Sequence, residues 1–307
     1  MKLAQISDYL YQKFLSEKTK EKTEEVILKI ALASFIIHLI VIGLVYFDII
    51  HLDEPSSLLK NPIAAIYTPF SFILVYEVYL LVFYLPKSTS IYVSKQYEII
   101  TLIVIRRLFK DLSDLSLSSN WFSMENDLQF TFDLIAAVIL FYLIYLFHIQ
   151  RTKKYHQKTT VTENTTRINQ FITAKKWIAS SLVPLVFIIA IYSFTSWIVS
   201  FFQPAENSAT SFKNINNIFF EQFFNVLIIA DVILLIFSFF HTDEFHKVIR
   251  NSGFIISTIL IRISFSVSGG INTILIVSAI LFGLLMLYIH NKFDKQITLI
   301  SHEIDVE

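Results

Sequence analysis

The chain contains no cysteine and only five glycines. Without cysteine there is no disulfide framework, no thiol nucleophile and no thiolate metal site. So few glycines leave little for helix contacts of the small-xxx-small kind, and packing must rest on large side chains, chiefly the 30 phenylalanines. An excess of either charge is also missing. Lys plus Arg and Asp plus Glu stand at 25 each, so no global field draws nucleic acid. No HExxH, GxSxG, P-loop or GxGxxG pattern occurs, which removes the motif basis for a membrane protease, a lipase or a nucleotide-driven pump. With no nucleophile–base pair and no ligand set in view, the sequence points to no enzyme, no cofactor and no resident metal. The first 25 residues hold no short apolar core followed by a small-residue cleavage site; they carry the run SEKTKEKTEE and read as a solvated cytoplasmic helix with i,i+4 charge pairs.

What the chain does have is apolar length. It is 54% apolar with a mean hydropathy of +0.60, above the roughly 45–50% usual for soluble domains. A helix of about 17–25 mostly apolar residues crosses the hydrocarbon core, and eight stretches qualify: 26–47, 63–85, 91–109, 129–149, 178–202, 217–240, 249–267 and 271–290. The third and seventh are the least hydrophobic and read as helices shielded by their neighbours. The expected fold is an all-α integral membrane protein with about eight transmembrane helices.

Lys and Arg in short loops mark the cytoplasmic side. They gather at Lys13, Lys18, Lys20 and Lys22, again through the stretch from Arg151 to Lys176, and at Lys292 and Lys295. The loops 48–62 and 203–216 are poor in them. Both termini are therefore expected in the cytoplasm, with the chain in the plasma (inner) membrane. The organisation that follows is a charged N-terminal segment 1–25, a four-helix half 26–150, a basic cytoplasmic linker 151–176, a second four-helix half 177–291 and a cytoplasmic tail 292–307.

The two halves align. ILVYEVYLLVFYLP set beside VLIIADVILLIFSFF matches Glu77 to Asp231, and further on Lys95 meets Arg250 and Arg106 meets Arg262. Four helices per unit joined by a cytoplasmic linker predict parallel tandem repeats, related by an axis along the membrane normal.

Ionisable residues inside such helices are costly, face protein or water, and mark function. Counting rise along each span sets Glu77 and Glu98 at one depth with Lys95 a turn away, levels Arg106 and Arg107 with Asp133, brings Arg250 within reach of Asp231, and puts Glu221 with Arg262. Glu77, Glu98 and Asp231 are the candidate coordinating or proton-carrying groups. A buried carboxylate without a full counter-charge exchanges a proton, and a pair such as Glu77 with Glu98 can hold one proton or a cation between them. Lys95, Arg106, Arg107, Asp133, Glu221, Arg250 and Arg262 are their charge partners. His38 reads as a hydrogen-bonded core residue. The HTDEFH run, with His241 and His246, reads as a solvated turn or a weak zinc site.

The first functional expectation is a transporter or channel for protons or small cations that uses these carboxylates. The second is a non-transporting scaffold or sensor subunit, whose intramembrane charges are structural ion pairs and whose basic 151–176 loop binds a cytoplasmic partner or anionic lipid.

Overall fold

The computed structural model describes residues 2–49, 59, 62–113, 125–153, 165–201, 208–241, 245–267 and 269–304. Among them there is no strand. The chain runs α1 (Lys2–Phe14), α2 (Glu17–Tyr46), a 3-10 turn (Pro62–Ile66), α3 (Tyr67–Tyr84), α4 (Thr89–Ser113), α5 (Glu125–Thr152), α6 (Thr165–Phe201), α7 (Ser208–His241), α8 (Phe245–Ser264) and α9 (Gly270–Ile304). Local chemistry sets several of these boundaries. Ser16 breaks α1 from α2 because its hydroxyl caps the Thr19 amide at 3.2 Å. Charge pairs Lys20–Glu17 at 3.0 Å and Lys29–Glu25 at 2.6 Å then lace the polar start of α2. Gly269, at φ 80°, supplies the left-handed residue that the turn into α9 requires. Pro184 lies inside α6, and the helix continues through it.

Five helical stretches, in α2, α5, α6, α7 and α9, are long and apolar enough to cross a membrane, and a shorter apolar stretch covers Thr68–Tyr84 in α3. Helices α4 and α8 cover the two weakest of the predicted spans. Burial accounts for the weaker apolar signal of α4, whose Tyr92, Val93, Ser94, Gln96, Tyr97 and Ile100 are all buried in protein, whereas α8 is two-sided, burying Asn251, Gly253, Phe254 and Ser257 and exposing Ile249, Ile256 and Ile263. A helix surrounded by protein does not need an apolar face toward lipid.

The other helices are apolar on the outside. α5 buries Ala136, Leu140, Leu143 and Phe147 while exposing Val138, Phe141, Tyr142 and Tyr145. α6 exposes Phe187, Ile188, Ile191 and Tyr192. Apolar surface on this scale is tolerated by lipid and not by water. The chain is an all-helical integral membrane protein.

Two compact units are present. One comprises residues 1–83, 106–130 and 177–226, the other 84–105, 131–176 and 227–307. In the first, the Tyr79 hydroxyl donates to the Phe14 carbonyl at 2.9 Å and the Tyr76 hydroxyl to Glu24 at 2.6 Å, pinning α3 to α1 and α2. His38 of α2 hydrogen-bonds Thr68, and the rings of Phe70 and Phe109 pack 5.5 Å apart. In the second, the fully buried rings of Tyr97, Phe147 and Phe254 form a chain of contacts at 5.2 and 5.8 Å that ties α4, α5 and α8 together. The Tyr97 hydroxyl bonds Ser257 at 2.7 Å, and the Ser257 hydroxyl also reaches the Ala279 carbonyl at 2.6 Å. Gly283 of α9 makes room for that pair, since a Cβ there would run into the Tyr97 hydroxyl.

Candidate functional site

Helix α7 buries Phe223, Leu227, Ala230, Asp231, Leu234 and Ser238. These positions recur every three or four residues, so the helical period carries Asp231 to the protein side of an otherwise lipid-exposed helix. Asp231 is 4% exposed. Gln96 of α4 donates its amide N–H to the carboxylate at 3.2 Å, and Tyr92, one turn earlier on α4, lies beside the same group. The positive charge acting on Asp231 comes from Lys175 of α6, itself 6% exposed. Lys175 is held by the turn between α3 and α4, where its ammonium donates to the Lys87 carbonyl at 3.1 Å, and by the Phe171 ring at 4.7 Å.

These side chains line a cavity of about 30 Å³ with Tyr92, Gln96, Lys175, Asp231 and Ser238 on its polar wall. That volume holds about one or two water molecules. The Gln96 carbonyl oxygen is buried there without a hydrogen-bond partner in the protein. A buried orphan of this kind calls for a guest, because a lost hydrogen bond costs about 1–3 kcal/mol.

A polar chain leads away from the cavity. The Asn251 amide donates to the Ser238 hydroxyl at 3.1 Å. The Asn251 carbonyl oxygen accepts from Arg250 Nη2 at 3.1 Å, and Arg250 Nη1 donates to His290 Nε2 at 2.7 Å. His290 lies beside Asp294, as does His246, whose ring stacks on that of His290 with centroids 5.1 Å apart.

A second polar cluster joins α4 to α5. Glu98 binds Lys95 at 2.6 Å and His148 Nε2 at 2.9 Å, while Arg151 reaches the other ring nitrogen at 3.0 Å. Because an arginine only donates, Nδ1 is the acceptor and the ring offers Nε2–H to Glu98. Glu77 in α3 belongs to the other unit and is closed by an ion pair with Arg106, which also donates to the Phe70 carbonyl at 3.2 Å.

Of the expected charge partners, Arg106 pairs with Glu77 and Lys95 with Glu98. The expected sharing between Glu77 and Glu98 differs, since each carboxylate binds its own cation. Arg250, expected within reach of Asp231, is engaged with Asn251 and His290, and Asp133, expected level with Arg106 and Arg107, accepts from the Thr273 hydroxyl at 2.5 Å. Counting rise fixes position along an axis and leaves rotation about it open, and rotation decides partners. Arg107 and Arg262 are half-buried in α4 and α8. Glu221 lies in α7, and its side chain is outside the described residues, as are residues 242–244 of the HTDEFH run and 154–164 of the basic linker.

Lys175 is not among the candidates the sequence offers, where it reads with Lys176 as part of the basic 151–176 linker. A signal for it exists: Ala179, Leu182, Val183 and Val186 form the buried stripe of α6, and one further step of four residues back lands on Lys175.

No protein-family model, curated protein or solved structure matches the chain.

Proposed function

We propose that the protein is a transporter or channel that moves protons across the membrane, with Asp231 as the carrier. The observation behind this is the buried Asp231 sharing a small cavity with Lys175, Tyr92 and Gln96 inside an apolar helical body. A metal-type cation needs several oxygen ligands and no ammonium among them, and Lys175 works against that. A proton needs only a carboxylate and a hydrogen-bonded route, and the hydroxyls of Tyr92 and Ser238 with one or two waters in the cavity are candidates for the part of that route beside Asp231. Lys175 supplies the positive charge that acts on Asp231.

In this reading all eight segments cross the bilayer, α3, α4 and α8 included, and both termini face the cytoplasm of the plasma membrane. The halves 26–150 and 177–291 are parallel repeats. What supports the repeat is the recurrence of a histidine-centred cluster, Glu98–His148–Arg151 between α4 and α5 and Arg250–His290–Asp294 between α8 and α9.

The second reading, a scaffold or sensor subunit with a partner or anionic lipid at 151–176, is favoured by Glu77. A carboxylate closed by Arg106 acts as a lock on helix register.

The test is proton flux in liposomes containing purified protein, wild type beside Asp231→Asn and Lys175→Gln. The expected result is dissipation of an imposed pH gradient by wild type and its loss in folded Asp231→Asn. No flux from well-folded wild type under either gradient direction would sink the transport reading in favour of the scaffold.

A further inference from the structure

At the far end of the polar chain stand three metal-ligand side chains that the proposed proton carrier does not require. His246 opens α8, and His290 and Asp294 stand four residues apart on α9 and so share one face. Their ligand atoms all lie within 4.8 Å of one another. His246 Nε2 is 2.8 Å from one Asp294 oxygen and His290 Nε2 is 3.3 Å from the other. Ligands bonded at about 2.0–2.1 Å in a tetrahedron stand about 3.3 Å apart, so these separations need little adjustment around a shared ion.

The nitrogen chemistry suits a metal as well. Arg250 donates to His290 Nε2 at 2.7 Å, which makes that nitrogen a lone-pair acceptor, the form a metal requires. The two imidazole rings lie 20° from parallel, which sets their Nε2 atoms side by side against Asp294. His246 and His290 are buried and Asp294 is partly open, so the cluster is held by protein on one side and reachable on the other.

We propose that His246, His290 and Asp294 form a binding site for a divalent transition metal of the zinc type. Two imidazoles and one carboxylate are a ligand set that zinc, iron and nickel accept, and hard cations such as calcium and magnesium prefer all-oxygen sites. Three protein ligands leave a coordination position for water. Arg250 occupies the metal's place on His290 in the metal-free protein. It already holds the Asn251 carbonyl oxygen through Nε at 3.3 Å and Nη2 at 3.1 Å, so it keeps an anchor when a metal takes the imidazole lone pair. Its charge also opposes a dication, so the arginine sets a ceiling on affinity.

The experiment uses full-length protein in detergent, stripped of metal and titrated with Zn²⁺ by calorimetry and with Co²⁺ by visible absorption. Wild type is expected to bind one Zn²⁺ per chain and to give the intense d–d bands of tetrahedral Co²⁺. His246→Ala and His290→Ala weaken binding at least tenfold, His148→Ala leaves it unchanged, and Arg250→Gln tightens it. Absence of Zn²⁺ binding by wild type, or equal binding in both His246→Ala and His290→Ala, overturns the proposal. Should either variant lose its monodisperse elution, the wild-type cobalt spectrum decides: weak octahedral bands overturn the site and tetrahedral bands uphold it. Binding is read without any flux, so the site stands or falls independently of proton transport.

Discussion

A carboxylate closed by a guanidinium behaves differently from one that faces an ammonium across a cavity. Glu77 and Arg106 form the closed kind, with side chains 6% and 13% exposed and the Phe70 carbonyl as a further acceptor for the arginine. Removing one partner of a buried pair strands the other and costs about 3–5 kcal/mol. Glu77→Gln is therefore expected to lower stability by about that much, read as a lower melting temperature in detergent, while flux per folded molecule persists. A stable Glu77→Gln protein with no flux would make Glu77 a second carrier. Asp231 is the open kind, since Gln96 and Tyr92 neutralise nothing and Lys175 is tied to a backbone carbonyl. Both acids were legible in the sequence, because a lone carboxylate amid twenty apolar residues stands out. Arg106 was legible as a charge partner too, but Lys175 was not, because it looks like any loop lysine until the start of α6 at Thr165 puts it three turns inside a helix.

At the scale of the element, the α8–α9 hairpin depends on close approach at Gly283. A side chain there would drive into Tyr97, which holds Ser257 at 2.7 Å and packs on Phe147. Gly283→Ala is expected to destabilise the protein by about 1–3 kcal/mol through overpacking. Tyr97→Phe removes the hydroxyl that collides, so the alanine costs less in that background. A double-mutant cycle by thermal melting measures the difference, and strict additivity would show that Gly283 acts elsewhere. This contact was invisible in the sequence, where Gly283 sits in an ordinary apolar run. Helix existence was visible: every predicted span overlaps a helix. Low hydropathy also marked the third and seventh spans as shielded, but hydropathy could not say which of their residues turn inward. α4 and α8 carry their polar residues inward, toward Asp231, Ser238 and one another's neighbours in the unit that holds residues 84–105 and 227–307, and a hydropathy average counts those residues as if they faced the bilayer.

At the scale of the whole molecule, the two proposals meet in one line of atoms. Asp231 shares its cavity with Ser238; Ser238 accepts from Asn251; Arg250 joins Asn251 to His290; and His290 is a ligand of the proposed metal site. Arg250 only donates and the Asn251 amide relays no proton, so this line carries position and not protons: a metal on the His290 Nε2 lone pair displaces Arg250 from that nitrogen, and the shift reaches Ser238 at the cavity wall. Zn²⁺ is therefore expected to slow proton flux in proteoliposomes, with half-inhibition at the concentration that half-fills the site in calorimetry. The inhibition should disappear in His246→Ala, which lacks one ligand and keeps the line Asp231–Ser238–Asn251–Arg250–His290 intact. Asn251→Leu breaks the line between Ser238 and Arg250 and is expected to leave Zn²⁺ binding intact while removing the effect of Zn²⁺ on flux. Zn²⁺ that binds wild type and leaves its flux untouched would show that the line does not couple the metal site to the cavity. The carrier and the metal site would then be two separate functions of the same helices.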